Sequence, residues 1–290
     1  MLKRVVALSL VLMCGGAVGA DYPADRKAAM KLVESGKHEE ALAAFIKMAE
    51  GPVSDFQKSD ALEQAVLCAN SLKQYDKAMD LAKKIPLQPV SRTCQMRILM
   101  EERKWQEVID KFKDEDIDRW PEDVAANAFH CRGGAYYNLK DGKGAEKDLQ
   151  KAAELLTEDN AKGLALNALG DTYQHLLKDD NLAIETYRRV YKTSASYKHC
   201  QAAISIAGIF KRQNKPDEAL QELNKIDMGK VTIAYWRAAM LAAFADVLAK
   251  QGRKAEAIAK YNEAMQLRDI HPAQKRACEK ELRKLQADAK

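Results

Sequence analysis

Residues 166–187 read LNALGDTYQHLLKDDNLAIETY, and this stretch decides the fold. Four residues of its first half stand at i, i+3, i+4 and i+7, the spacing of one helix face; they are Leu166, Leu169, Gly170 and Tyr173. A polar turn at 178–181 follows, and Ala183 and Tyr187 then begin a second apolar face. The stretch therefore predicts two amphipathic helices that pack against each other as a hairpin.

The same pattern returns along the chain every 30 to 38 residues. In each repeat a small or β-branched residue follows a polar turn, usually with a large apolar residue four positions later. These seven anchors are Ala41, Ala78, Val108, Ala145, Ala183, Ala219 and Ala257. A small residue lets two helices approach closely, and the larger residue beside it fills the remaining space. Self-similarity at this period predicts an array of helical hairpins that share one core.

These residues resemble the tetratricopeptide-repeat (TPR) family. Its signature is Trp-x-x-Leu-Gly-x-x-Tyr followed by Ala-x-x-x-Phe, which residues 166–187 match with one extra residue before Ala183. The fourth, sixth and seventh repeats are similar, whereas the second has Val66 at a Gly or Ala position and the third is short and carries Val108. The resemblance implies an all-α protein, a right-handed α-solenoid of six to seven hairpins, with the first helices lining a concave face.

The repeat spacing divides the chain into a leader, an array and a cap. We assign a signal peptide to 1–20, a TPR array to 24–272, and a C-terminal capping helix to 273–290, with Ala277, Leu282 and Leu285 on its apolar side. The array divides into seven units, at about 24–50, 54–86, 90–115, 122–157, 159–193, 195–227 and 229–270.

The first twenty residues have the layout of a secretory signal peptide. Lys3 and Arg4 precede a short apolar run at 5–13, and small residues lead to Ala20. The run is too short to span a bilayer, which requires about 20 apolar residues. A lipidated Cys14 is disfavoured because Met13 stands where a bacterial lipobox has a small residue. We therefore expect cleavage before Asp21 and an exported protein, periplasmic or secreted, with no membrane span.

Charge and composition exclude two other classes of protein. The chain is 47% hydrophobic and 31% charged, a balance that supports a folded core rather than disorder. Without residues 1–20 it has 45 basic and 42 acidic residues, a net charge of +3. Nucleic-acid binding usually requires a strongly basic patch, and the basic stretch at 275–284 is interrupted by Glu279 and Glu281.

No catalytic or metal-binding motif occurs in the sequence. There is no glycine-rich phosphate loop, no His-Glu-x-x-His and no Cys-x-x-Cys. His130 and Cys131 are adjacent, but neighbouring helical residues do not face each other. Five cysteines follow the leader, an odd and widely spaced set that favours buried apolar roles while leaving a long-range disulfide open: Cys68, Cys94, Cys131, Cys200 and Cys278. The sequence thus predicts no catalytic residue, no metal site and no cofactor.

The resemblance also implies which side chains face a partner. In TPR proteins these occupy positions 2, 5, 9, 12 and 13 of each first helix. Transferred to units four to six, the candidate groove residues are Asn127, His130, Tyr137, Asn138, Asn167, Asp171, Gln174, His175, Gln201, Lys211 and Arg212. Amide side chains donate and accept together and suit an extended backbone, and Lys211 with Arg212 favours an acidic segment. The family's clamp for a C-terminal carboxylate is not matched.

The sequence therefore predicts a non-catalytic scaffold or adaptor of the bacterial cell envelope that binds another protein in its groove. The alternative is a membrane-tethered subunit of an outer-membrane assembly or transport machine. The identity of the partner and self-association are left open, and an enzyme is disfavoured.

Overall fold

The computed structural model describes residues 22–194 and 196–287, and every regular element within them is helical. This confirms the predicted all-α class. The predicted signal peptide and Cys14 lie outside the described residues, as do the last three residues of the predicted capping helix. The chain divides into two compact units, which meet in sequence between Asp114 and Glu115.

The N-terminal unit contains three helical hairpins. Their helices are α1 (Tyr22–Glu34), α2 (His38–Glu50), α3 (Asp55–Ser71), α4 (Tyr75–Lys83), α5 (Gln88–Glu101) and α6 (Trp105–Phe112). Ser54 caps α3 with a reciprocal capping box: its hydroxyl accepts from the backbone N–H of Gln57, whose side chain accepts from the Ser54 N–H. Such a cap satisfies two of the N–H groups that a helix start leaves unpaired.

The C-terminal unit begins with a 3₁₀ turn, Ile117–Arg119, and contains four further hairpins and a last helix. Its helices are α7 (Glu122–Asn138), α8 (Gly142–Leu155), α9 (Asp159–Asp171), α10 (Asp180–Val190), α11 (Ser196–Arg212), α12 (Pro216–Leu223), α13 (Ala234–Lys250), α14 (Lys254–Met265) and α15 (Pro272–Ala287). A second 3₁₀ turn, Met228–Lys230, precedes α13. Consecutive helices pack against each other, and α11 also contacts α9 and α13. The first helices α9, α11 and α13 are therefore neighbours.

All seven predicted anchors are fully buried, each in the second helix of its hairpin: Ala41, Ala78, Val108, Ala145, Ala183, Ala219 and Ala257. Two first-helix glycines pack against the large residues that stand four positions after the anchors Ala145 and Ala183. A Cβ on Gly133 would lie 2.8 Å from the side chain of Leu149, and one on Gly170 would lie 2.5 Å from the ring of Tyr187. The apolar core thus forms where first and second helices approach most closely, as the repeat pattern predicts.

Each hairpin turn contains one residue in the left-handed conformation. Among the described residues these are Gly36, Lys73, Arg103, Lys140, Lys178, Asn214 and Gly252. Glycine occupies this position in the first and seventh hairpins, as Gly36 and Gly252, but Gly142 does not. Gly142 is the first residue of α8, and Lys140 has the positive φ, of 68°. A left-handed residue ends the first helix in every repeat, whether or not glycine occupies that position.

The extra residue of the fifth repeat is absorbed by a π-helix. Residues Thr172–Leu177, at the end of α9, form this wider turn. One inserted residue in a helix is commonly accommodated by a single π turn, often at functional sites. The π turn keeps Ala183 in register with the other anchors, and within it Gln174 is buried and His175 is exposed.

The last helix buries a different residue from the one expected. In α15 it is Cys278 that is buried, together with Leu241 and Tyr261, whereas Ala277 is exposed. Leu282 and Leu285 pack at the edge of the same cluster, as predicted. Cys68, Cys94 and Cys200 are buried in the same way and Cys131 is half-buried, in accord with cysteine as a small apolar core residue.

Candidate functional site

The candidate residues lie on the first helices of the C-terminal unit. On α11, Gln201, Ile204, Gly208 and Lys211 are spaced by three or four residues, so they share one side of the helix, and Arg212 follows Lys211 directly. The corresponding sides of α7, α9 and α13 complete a surface that we call the groove face. It consists of the eleven predicted residues together with Ile204, Gly208, Asp246 and Lys250.

The α7 residues of the groove face are half-buried. The side-chain amide of Asn127 donates to the carbonyl of Asp123 (2.9 Å), and that of Asn138 donates to the carbonyl of Gly134 (2.8 Å). Burial raises the pKa of Tyr137, and the nearby Asp171 carboxylate raises it further. Tyr137 therefore stays a neutral hydrogen-bonding aromatic beside α9. His130 is half-buried on the same helix.

Asn167 and Gln201 meet beneath the centre of the groove face. Asn167 is only 1% exposed, and its Nδ2 donates to the carbonyl of Lys198 (3.3 Å) and to Oε1 of Gln201 (3.4 Å). Its Oδ1 is buried without a hydrogen-bond donor among the described residues. Buried polar atoms are usually paired, so this acceptor is an exception that a ligand N–H would satisfy.

Asp171 and Gln174 form a hydrogen-bonded group around Tyr187. The Tyr187 hydroxyl lies 2.5 Å from Oδ1 of Asp171 and 2.9 Å from Oε1 of Gln174. Burial raises the pKa of Asp171, partly offset by the hydrogen bond from Tyr187 and by His175. Burial also raises the pKa of Tyr187. These side chains fix the floor of the groove face, while His175 is exposed above it.

Both predicted cations already have acidic partners within the chain. The Nζ of Lys211 lies 2.6 Å from Asp246 on α13, and Arg212 lies 3.0 Å from Asp180 on α10. Asp246 also accepts a hydrogen bond from Tyr261. The two residues therefore carry less uncompensated positive charge than the sequence suggests.

A pocket of about 370 Å³ lies at the C-terminal end of α11. We call it the Arg212 pocket, and its lining residues are Gln174, His175, Lys178, Asp180 and Arg212. Three of the predicted residues thus share one cavity, and the π-helix supplies two of them. Its charged side chains are two cations, Lys178 and Arg212, and one carboxylate, Asp180.

Sequence reasoning missed a group of aromatic rings at the other end of the face, of which Tyr235 is exposed and the other two are half-buried. Tyr197 of α11 and Tyr235 and Trp236 of α13, which we call the aromatic patch, have ring centroids 5.2 Å apart for Tyr235–Trp236 and 6.5 Å apart for Tyr197–Trp236. Tyr235 is 49% exposed, as is the neighbouring Ile233. The sequence contained a signal for this patch. Tyr197 and Tyr235 each stand four residues before position 2 of their first helix, which is one helical turn earlier on the groove side.

Within the described ranges, no three His, Cys, Asp or Glu side chains are grouped closely enough to hold a metal ion. None of the helices within residues 22–194 and 196–287 is both long enough and apolar enough to cross a bilayer.

Comparison with solved structures identifies similar folds. A tetratricopeptide repeat protein from Parabacteroides merdae has 14% sequence identity and a TM-score of 0.51, over 92% of this chain and 99% of that one. The C-terminal part of a TPR repeat-containing protein from Cytophaga hutchinsonii has 16% identity and a TM-score of 0.49, over 86% and 97%. No family model matches the sequence, and no curated protein matches it. From its stacked hairpins, buried anchors and structural likeness, this chain has the fold of the tetratricopeptide-repeat proteins.

Proposed function

We propose that this protein is a non-catalytic scaffold that binds an extended segment of another protein along the groove face. One observation carries the proposal: the first helices hold amide, aromatic and cationic side chains together on one surface, with an aromatic patch at one end and the Arg212 pocket at the other. Open surfaces of this kind suit a peptide chain, whose backbone groups require donors and acceptors along their length.

The rigidity of the groove face supports this function. Asp171, Gln174 and Tyr187 lock one another by hydrogen bonds, and α11 is packed between two other first helices. A surface held by packed helices loses little conformational entropy on binding, which favours affinity. The proposed partner segment is acidic, because Lys178 adds positive charge beside the paired Arg212.

We place the function in the bacterial cell envelope after export. The support is the charged start, short apolar run and small residues of 1–20. The alternative role, a membrane-tethered subunit of an outer-membrane assembly or transport machine, differs in one measurable respect. After cell fractionation, a scaffold without an anchor is found in the periplasmic or secreted fraction, whereas a tethered subunit stays with the membranes until detergent is added.

The binding function is tested by cross-linking and pull-down from envelope extract with residues 21–290. Tyr137→Ala and Arg212→Ala should each lower recovery of a specific partner at least tenfold, since Tyr and Arg often dominate binding energy. Lys147→Glu is the matched control, because Lys147 is exposed on the second helix α8. Arg212→Ala and Lys147→Glu, at exposed positions, should keep the wild-type melting temperature within a few degrees.

Two results would overturn this proposal. One is recovery of no specific partner from extract by the wild-type protein. The other is a partner whose recovery falls with Lys147→Glu and not with Tyr137→Ala or Arg212→Ala, since binding would then use the second helices.

A further inference from the structure

Gly208 is a helical glycine that the fold itself does not require. It lies four residues before the end of α11, on the groove face, and a Cβ built on it meets no atom within 4 Å. Gly133 and Gly170 differ, because a Cβ on either would collide with a side chain of the following helix. Glycine is a poor helix former, so a position with free space around it would be more stable as alanine. What glycine provides there is close access for another backbone.

The notch at Gly208 lies between the two ends of the groove face. Along α11, Tyr197 of the aromatic patch and Arg212 of its pocket are fifteen residues apart, which corresponds to about 22 Å of helix. An extended chain covers this distance with about seven residues. A segment that lies along α11 over Gly208 would therefore reach both ends at once.

Polar atoms along this path suit a peptide backbone. Beneath Gln201 lies the unsatisfied Oδ1 of Asn167, which is 1% exposed. The Tyr197 hydroxyl donates to Asn160 of α9 (2.5 Å), which holds the ring in place at the start of the path.

The two ends differ in chemistry. At the aromatic patch, exposed Tyr235 and Ile233 with Trp236 form an apolar surface that favours an aromatic or large apolar side chain. At the Arg212 pocket, Arg212 and Lys178 outnumber the one carboxylate, Asp180. Lys178 is exposed at this pocket, whereas Arg212 pairs with Asp180. Charge complementarity therefore favours a carboxylate on the ligand.

We infer that the groove face binds an extended acidic segment of a partner protein in one register: its backbone passes over Gly208, an aromatic or large apolar side chain packs on the aromatic patch, and a carboxylate about seven residues away enters the Arg212 pocket. This rests on the proposed function and specifies its ligand. Tight binding requires both the carboxylate and the aromatic or large apolar side chain, because the Arg212 pocket and the aromatic patch each contact one of them.

The register is tested with fluorescein-labelled synthetic peptides in which a Trp and an Asp pair are separated by Ala and Ser spacers of increasing length. Fluorescence anisotropy with residues 21–290 should show the highest affinity at a separation of about seven residues. Replacing the Trp by Ala, or both Asp by Asn, should lower the affinity at least tenfold. An affinity independent of spacing, or no binding by any peptide at millimolar concentration, overturns the inference.

Two substitutions at one position separate binding from folding. Gly208→Ala should raise the melting temperature by about 2–4 °C, because alanine is the better helix former and has room. Gly208→Leu should fold normally but fill the notch and weaken the best peptide at least tenfold. Lys147→Leu on α8 is the control for an added leucine and should bind as wild type. Unchanged binding by Gly208→Leu would overturn the inference.

The same variant distinguishes failure of this inference from failure of the proposed function. If Tyr137→Ala and Arg212→Ala lose an envelope partner that Gly208→Leu retains, the scaffold function stands and the register is wrong. If wild-type protein is a dimer in sedimentation and Gly208→Leu makes it monomeric, a second copy covers the face and the inference fails.

Discussion

Two acidic residues occupy equivalent places in the fifth and seventh hairpins. Asp171 of α9 and Asp246 of α13 each accept a hydrogen bond from a tyrosine of the following second helix, Tyr187 and Tyr261. Asp246 also pairs with Lys211, whereas burial raises the pKa of Asp171 above its ordinary value. The ionised form of Asp171 is therefore disfavoured in the folded state.

Asp171→Asn should stabilise the protein at neutral pH. Because the folded-state pKa of Asp171 is raised, its favourable contribution is complete below the unfolded pKa and is lost as pH rises through the folded value. An amide keeps the acceptor for Tyr187 and avoids the buried charge. Thermal unfolding should give Asp171→Asn a higher melting temperature than wild type at pH 7, with a smaller difference near pH 3. A difference that grows on acidification would contradict this assignment.

Ala257 tests the buried anchor of the last hairpin. It is fully buried, while Ala259, two positions later in α14, is exposed. Ala257→Leu should destabilise the protein by about 1–3 kcal/mol, because added methylene groups force the packed helices apart. Ala259→Leu should change stability by no more than about 0.5 kcal/mol. Urea unfolding measures both, and equal losses would show that the anchor is not where the helices meet.

The hairpin turns offer a test of backbone strain. Lys140 has a φ of 68° between α7 and α8, a conformation that costs a non-glycine residue about 1–2 kcal/mol. Lys140→Gly should therefore stabilise the protein by about 0.5–1 kcal/mol, once the added freedom of the unfolded chain is subtracted. Chemical denaturation gives the free energy of unfolding.

Lys147→Gly, in the middle of the neighbouring helix α8, is the matched control. The same substitution should there destabilise by about 1 kcal/mol, since helical backbone disfavours glycine. Gly252→Ala, at a turn with a φ of 76° and no atom near its Cβ, should destabilise through conformation alone. If Lys140→Gly and Lys147→Gly shift stability in the same direction, the turn conformation is not the cause.

Export concerns the whole chain, and the mass of the exported protein tests it. Protein recovered from the cell envelope or medium should begin at Asp21, give or take two residues, because the small residues before it suit signal-peptide cleavage. Intact-mass spectrometry decides the point. The full-length mass would rule out processing, and an acylated Cys14 would place the protein at a membrane.

The period of the apolar residues determined the helices, the hairpins and the buried anchors from sequence alone. This was possible because each hairpin is local: Gly170 and Tyr187 meet across a single turn, so spacing within about twenty residues specifies the contact. The extra residue before Ala183 was visible as well. That it would form a π-helix was not, since a loop could also have absorbed it.

The ion pairs and buried polar groups of the groove face depend on how successive hairpins stack, which the sequence alone did not predict. Lys211 pairs with Asp246 and Arg212 with Asp180, residues more than thirty positions apart, and the same stacking buries Asn167 and assembles the aromatic patch. Helical periodicity states which side of a helix a residue occupies, but not which residue of the next repeat stands opposite. Which residues face each other depends on the angle and offset between successive repeats, and the packing of the whole unit sets both. The same packing leaves free space around the Cβ position of Gly208.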